Sequence, residues 1–227
     1  MMPNALPPRR LAALVLALGL TTAGTAQAHP HVWITAKAEV AYGAGGRVTG
    51  IRHAWTFDAS YSAFVTQGLD TNGDGKLSPE ELAGLAAENT ANLSEFGYFT
   101  KLKLGGKDQA FAEPVEPRMA MDGDKLTLSF LLPLKAPAAQ GRGVAALEVY
   151  DPTYFVAFSL SEAADVARLV DAPAGCVATV TRAKSDVVPA ANPAAAKPGM
   201  SEAFFEALTN ASSYGAQFAN RILVACP

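Results

Sequence analysis

Val32, Ile34, Ala36, Ala38 and Val40 alternate with Trp33, Thr35, Lys37 and Glu39, so His31 to Val40 carries the period-two pattern of a half-buried strand. A glycine-rich turn follows at Gly43 to Gly46, and alternation resumes from Val48 to Asp58 with Ile51, His53, Trp55 and Phe57 on one face. The two stretches predict an antiparallel hairpin. From Ala59 to about Gly68 the spacing becomes helical, an acidic loop intervenes, and a second helix runs from Pro79 to about Leu93, with Pro79, Glu80 and Glu81 in its first turn. Residues 59–94 therefore read as a helical insertion. Tyr98 to Leu104, Lys125 to Leu134 and Ala145 to Phe158 are apolar or alternating runs bounded by Gly, Pro and Asp, as strands are. Residues 187–199, rich in Pro and Ala, read as a loop, and Met200 to Leu223 has the apolar spacing of a C-terminal helix. The predicted class is α+β, with an antiparallel β-sandwich-like core, the helical insertion and the terminal helix.

The first residues alter the domain count. Arg9 and Arg10 precede an apolar run from Leu11 to Leu20, and Ala26-Gln27-Ala28 has the small-x-small form of a cleavage site, so 1–28 reads as a signal peptide and 29–227 as one exported domain. That run of about ten residues is too short to span a bilayer, which takes about 20, so no stable membrane insertion of the mature chain is expected. The arginine pair leaves twin-arginine export open beside the general secretory route. Both arginines leave with the signal and no acid does, so the exported part is more acidic than the −3 of the whole chain. With no basic block, nucleic acid is not an expected partner.

The chain has 2 cysteines, Cys176 and Cys226. In an oxidising compartment an even count predicts a disulfide, whereas two thiolate metal ligands would want the close CxxC spacing and a nearby histidine that are missing here.

The acidic loop Asp70-Thr71-Asn72-Gly73-Asp74-Gly75-Lys76-Leu77-Ser78-Pro79-Glu80-Glu81 fits the EF-hand template. Asp70, Asn72 and Asp74 fill the first, third and fifth places and Gly75 makes the sharp turn. Lys76 offers a backbone carbonyl, Ser78 holds the water-mediated ninth place, and Glu81 suits the bidentate twelfth. A hard oxygen cage of this kind selects Ca²⁺. In an exported protein it reads as a structural pin, because extracellular modules bind calcium weakly. Leu77 would ordinarily meet a partner loop, and no second copy occurs in the sequence.

All 3 histidines lie near the predicted cleavage site. His29 at a new N-terminus offers an α-amine and an imidazole together, and His31 adds a second imidazole, donors that favour Zn²⁺, Cu²⁺ or Ni²⁺. Pro30 has no N–H to lose, which blocks the deprotonated-amide mode of copper and nickel binding. A hairpin turn centred on Ala44 would set His31 opposite Phe57 and beside Asp58, making Asp58 the third ligand, and would set His53 opposite Thr35. On a face with Ile51, Trp55 and Phe57, His53 reads as a hydrogen-bonded core histidine, with support of a metal ligand as the alternative. Asp151 before Pro152 reads as a turn, with a catalytic carboxylate as the alternative, so the sequence leaves its role open. No acid/base pair or nucleophile elbow accompanies these residues, so an enzyme is not expected.

Taken together, His29-Pro30-His31-Val32-Trp33, Trp55-Thr56-Phe57-Asp58 with Tyr61-Ser62, the loop Asp70 to Glu81, Asp151-Pro152-Thr153-Tyr154-Phe155-Val156-Ala157-Phe158, Cys176 and Cys226 resemble the domain-of-unknown-function 1007 family. The resemblance covers nearly all of the expected mature chain. His29, His31, Trp55, Asp58, Asp70, Asn72, Asp74, Glu81, Asp151 and both cysteines fall on the family's recurrent pattern; His53 is not placed on it. It implies a periplasmic component of a transport system, linked in some members with zinc, nickel or cobalt permeases. The expectation is a metal-binding accessory of a transition-metal system with an inner-membrane permease as partner, and a structural Ca²⁺. A calcium-stabilised interaction or scaffold protein is the alternative.

Overall fold

The computed structural model describes residues 30–141, 143–183 and 214–227. The signal segment 1–28, His29, the 187–199 loop and most of the predicted terminal helix lie outside them. The chain is mixed α+β, mostly strand, in two sheets. The first sheet runs β5 (Val115–Asp122), β6 (Lys125–Ala139), β2 (Arg47–Phe57), β1 (Val32–Gly43), β8 (Val156–Leu160), with β9 (Ala167–Val170) also on β1. The second runs β10 (Val177–Thr181), β11 (Asn220–Ala225), β7 (Val144–Val149), β3 (Thr100–Leu104), β4 (Lys107–Asp108).

Alternation drives this arrangement. Every second residue of β1 from Val32 to Tyr42 is buried, as are Val48, Ile51, His53, Trp55 and Phe57 of β2. Leu102 and Leu104 of β3, Leu147 and Val149 of β7, and Ile222 and Val224 of β11 join the same buried cluster from the other sheet. His53 Nε2 on the first sheet lies 3.2 Å from Thr100 Oγ1 on the second, a polar link through an otherwise apolar core.

The helical insertion holds helix α1 (Ala59–Val65) and helix α2 (Pro79–Ala91), followed by a 3₁₀ turn at Leu93–Phe99. Asp58 caps α1, and Ser62 Oγ accepts the Leu126 N–H at 2.9 Å, which ties α1 to β6. Helix α2 starts with a Ser78/Glu81 capping box and Pro79, and buries Leu82, Ala86 and Thr90, the i, i+4, i+8 stripe that lies along one face.

Three expectations need correction. The sheet system is not wholly antiparallel, because β8 and β9 both pair with β1 in parallel. The chain reaches them by crossing over from the second sheet after β7, and it re-enters beside β1 running the same way. The end of the predicted C-terminal helix is a 3₁₀ turn at Tyr214–Phe218 and then β11, whose Asn220, Ile222 and Val224 point inward and Arg221, Leu223 and Ala225 outward. That is strand periodicity, and β11 sits inside its sheet between β10 and β7. The run Ala145 to Phe158 is two strands in different sheets, separated by the Asp151 turn.

Candidate functional site

His31 stands at the entry to β1. Its N–H donates to the Phe155 carbonyl at 2.9 Å, and its exposed ring lies 4.6 Å from that of Phe155. His29 is outside the described residues. The hairpin register differs from expectation by three residues: Phe57 faces Ile34, not His31, and His53 faces Ala38, not Thr35. The connection is a 3₁₀ turn at Ala44–Gly46, with Gly45 and Gly46 at positive φ, and a bulge follows at Ala41/Tyr42, so the turn does not centre on Ala44. Asp58 consequently faces Trp33. Its Oδ2 accepts the Trp33 N–H at 3.1 Å and its Oδ1 the Tyr61 N–H at 2.9 Å, so both oxygens serve the strand end and the helix cap.

The acidic loop is organised by its own ligand-type side chains. Asp70 accepts the N–H groups of Gly73, Asp74 and Gly75; Asn72 Oδ1 accepts that of Asp74; and Asp74 Oδ1 accepts that of Lys76. Gly75, at φ 78, makes the sharp turn. Glu81 Oε1 accepts from the backbone and hydroxyl of Thr71, and Oε2 accepts from the backbone and hydroxyl of Ser78. These donors, the Ser78 backbone N–H foremost and then Thr71, hold the Glu81 carboxyl down at about 2. Leu77, expected to seek a partner loop, packs against the protein's own core. Among the described residues, no three His, Cys, Asp or Glu side chains stand together in a way that could hold a metal ion. Cys176 and Cys226 are joined in a disulfide.

His53 is fully buried between Trp55 and Phe130, with ring centroids 5.2 Å from each. Thr100 Oγ1 donates to the Tyr98 carbonyl at 2.8 Å, so it accepts from His53 Nε2–H and the proton sits on that nitrogen. Among the described residues, neither His53 Nδ1 nor Trp55 Nε1 finds a hydrogen-bond partner. Burial lowers the His53 pKa from 6.5 to about 3. A histidine that stays neutral in the fold and charges when unfolded makes acid destabilising: the loss begins below pH 6.5 and ends near 3. Between pH 7 and pH 5 it amounts to about 2 kcal/mol by proton linkage. Urea denaturation at the two pH values should show that loss in the native sequence and its absence in His53→Leu. Equal slopes for both proteins would refute it.

Beside this core lies a pocket of about 640 Å³, walled by aromatic rings that include Trp55, Phe57, Phe96, Phe99 and Phe155, with Asp151 also lining it. Asp151 is 4% exposed. Its Oδ1 accepts the N–H and hydroxyl of Thr153, each at 2.8 Å, and its Oδ2 accepts the Val156 N–H at 2.9 Å. The Asp-Pro turn read from the sequence is therefore present, and it sets Asp151 in the lining of a largely apolar cavity. The 214–227 segment closes on the same turn. Gly215 N–H donates to the Pro152 carbonyl at 2.9 Å, and a Cβ at Gly215 would collide with the Asp151 carbonyl oxygen, so only glycine fits. No sequence signal foretold the pocket, whose rings come from β2, the 3₁₀ turn and the β7–β8 connection.

Over residues 14–226 the sequence matches the family model described as Protein of unknown function (DUF1007). An uncharacterized 15.5 kDa protein in the trpE 3' region of Spirochaeta aurantia is 31% identical to it over 110 residues, which cover 48% of this chain and 78% of that protein. The match to the family model extends from the apolar N-terminal segment to the second cysteine, so this chain belongs to the DUF1007 family, whose function is unknown.

Proposed function

We propose that the protein is an exported, periplasmic metal-binding accessory of a transition-metal transport system. In this reading a sandwich-like α+β core carries an EF-hand-like calcium insertion, and the His29-Pro30-His31 terminus carries Zn²⁺, or Cu²⁺ or Ni²⁺, toward an inner-membrane permease. The observation that carries it is the placement of His31: its backbone is fixed to Phe155 at the entry to β1 while its imidazole is exposed, two residues from His29. Two nitrogen-rich residues leave coordination positions open, which suits a carrier that passes its ion on better than a closed structural site. Asp58 joins as a third donor only through the lone pairs that the Trp33 and Tyr61 amides leave over.

The calcium assignment is supported by donor chemistry, with Asp70, Asn72, Asp74, the Lys76 carbonyl, Ser78 and Glu81 at the template places. The commitment of Asp58 to two backbone amides favours a second reading, a calcium-stabilised interaction protein without a transition-metal role. Calorimetric titration of Zn²⁺, Cu²⁺ and Ni²⁺ into the chelator-stripped mature protein, with calcium present, separates the two. A one-to-one site lost in the His29→Ala, His31→Ala variant is the expected result. Identical isotherms for both proteins would leave the interaction protein as the better account.

A further inference from the structure

The aromatic pocket is not used by either metal assignment. Its volume lies in the range of small-molecule sites, and its lining, aromatic and aliphatic side chains with the polar Asn89, Asp151 and Thr153 among them, has their composition as well. The unusual member is Asp151. Acidic side chains are almost never fully buried unless paired, because a charge removed from water needs a counter-charge. The three donors that hold Asp151, two from Thr153 and one from Val156, are all neutral. The ion pairs among the described residues engage Asp165, Glu116, Asp108, Glu39, Glu162 and Glu148, and none engages Asp151. The hydrogen bonds fix the carboxylate in place without adding positive charge to its surroundings.

Aromatic faces attract cations through their quadrupoles, and most strongly where water is excluded. Phe96 stacks on Phe99 at 5.4 Å, and Phe99 lies 6.2 Å from Trp55, so the rings form a continuous wall. Phe96 and Phe155 are about half exposed, at 52% and 47%, whereas Trp55 and Phe57 are buried, so the wall runs from the surface inward. A single buried carboxylate beside such a wall complements one charge type on an apolar body.

We propose that this pocket binds a small apolar cation, an ammonium head on a hydrocarbon or aromatic body, with the charge at Asp151 and the body against Trp55, Phe57, Phe99 and the Phe96 ring stacked on it. The test uses the full mature protein with calcium present and no transition metal. Benzyltrimethylammonium, benzyl alcohol and benzoate serve as cationic, neutral and anionic probes of similar size, followed by ligand-observed NMR. The cation should bind saturably, roughly tenfold or more tighter than either counterpart. Phe96→Leu, which removes an exposed ring and keeps the bulk, should weaken cation binding by roughly fivefold with an unchanged melting temperature. Asp151→Asn, which retains the Oδ1 acceptor, should bring the cation down to the level of the alcohol. If that variant does not fold, the probe series and Phe96→Leu still decide. Equal affinity for the three probes, no saturable binding, cation binding at native affinity in Phe96→Leu, or a cation preference retained in a folded Asp151→Asn each overturns the assignment.

Discussion

Replacing Cys176 and Cys226 by serine lowers the unfolding free energy by about 4 kcal/mol, the entropy of the roughly 50-residue loop that the crosslink closes. The location explains why little else compensates. Val177 pairs with Ala225, so the disulfide sits one step beyond the last rung between β10 and β11. Among the described residues β10 is an edge strand that pairs only with β11, and its residues are exposed or half-buried throughout. Without the bridge β10 has its ladder but almost no buried side chain to hold it. The urea midpoint should fall, and hydrogen exchange should show β10 amides losing protection before those of β11. A double-serine variant with the midpoint of the native protein would remove the bridge from the stability of the fold.

What the sequence discloses depends on how local the cause is. The β1–β2 hairpin is legible because each strand shows its own alternation, and helix α2 because Ser78, Pro79 and Glu81 form its start within four residues. The hairpin register is not legible, since it turns on a 3₁₀ connection and a bulge that shift every facing pair while leaving both alternations intact. The parallel placement of β8 and β9 on β1 joins residues more than 120 apart, and no periodicity encodes it. Strand β5 is not legible because Pro117 interrupts a stretch that is largely exposed, as an edge strand tolerates. Strand β11 is not legible because it is short and follows a long stretch of helical apolar spacing in the sequence.

The same distinction applies to the site. Both plain readings of polar residues agree with the structure, His53 as a hydrogen-bonded core histidine and Asp151 as a turn former. The turn, however, also buries its carboxylate against a cavity, which the sequence does not reveal because Phe96, Phe99 and Trp55 reach that cavity from separate elements. The expected neighbourhood of His31 and Asp58 rested on the register and moved with it: Asp58 pairs with the Trp33 backbone instead.

On the proposed calcium assignment, calcium should raise the melting temperature and Glu81→Gln should abolish the rise. For a dissociation constant of about 10⁻⁴ M, at the tight end for extracellular modules, calcium at a hundredfold excess stabilises the fold by about 2.7 kcal/mol. For a domain of this size that is about 5–10 °C. The substitution discriminates because Glu81 has two tasks. As the third residue of α2 it accepts the Ser78 N–H in the capping box, and glutamine supports that bond as well as glutamate does. At the twelfth loop place it must lend both oxygens to a cation, which an amide cannot do. Asp70, meanwhile, draws three successive N–H groups toward itself, so the loop backbone is already curled around the side chain at the first template place. Glu81→Gln also gives up the Thr71 bonds, because an amide has one acceptor oxygen, so it should melt at or below the calcium-free native protein and at the same temperature with or without calcium. If calcium shifts neither protein, the loop is a helix-initiating turn only; if it shifts both equally, the ion binds elsewhere.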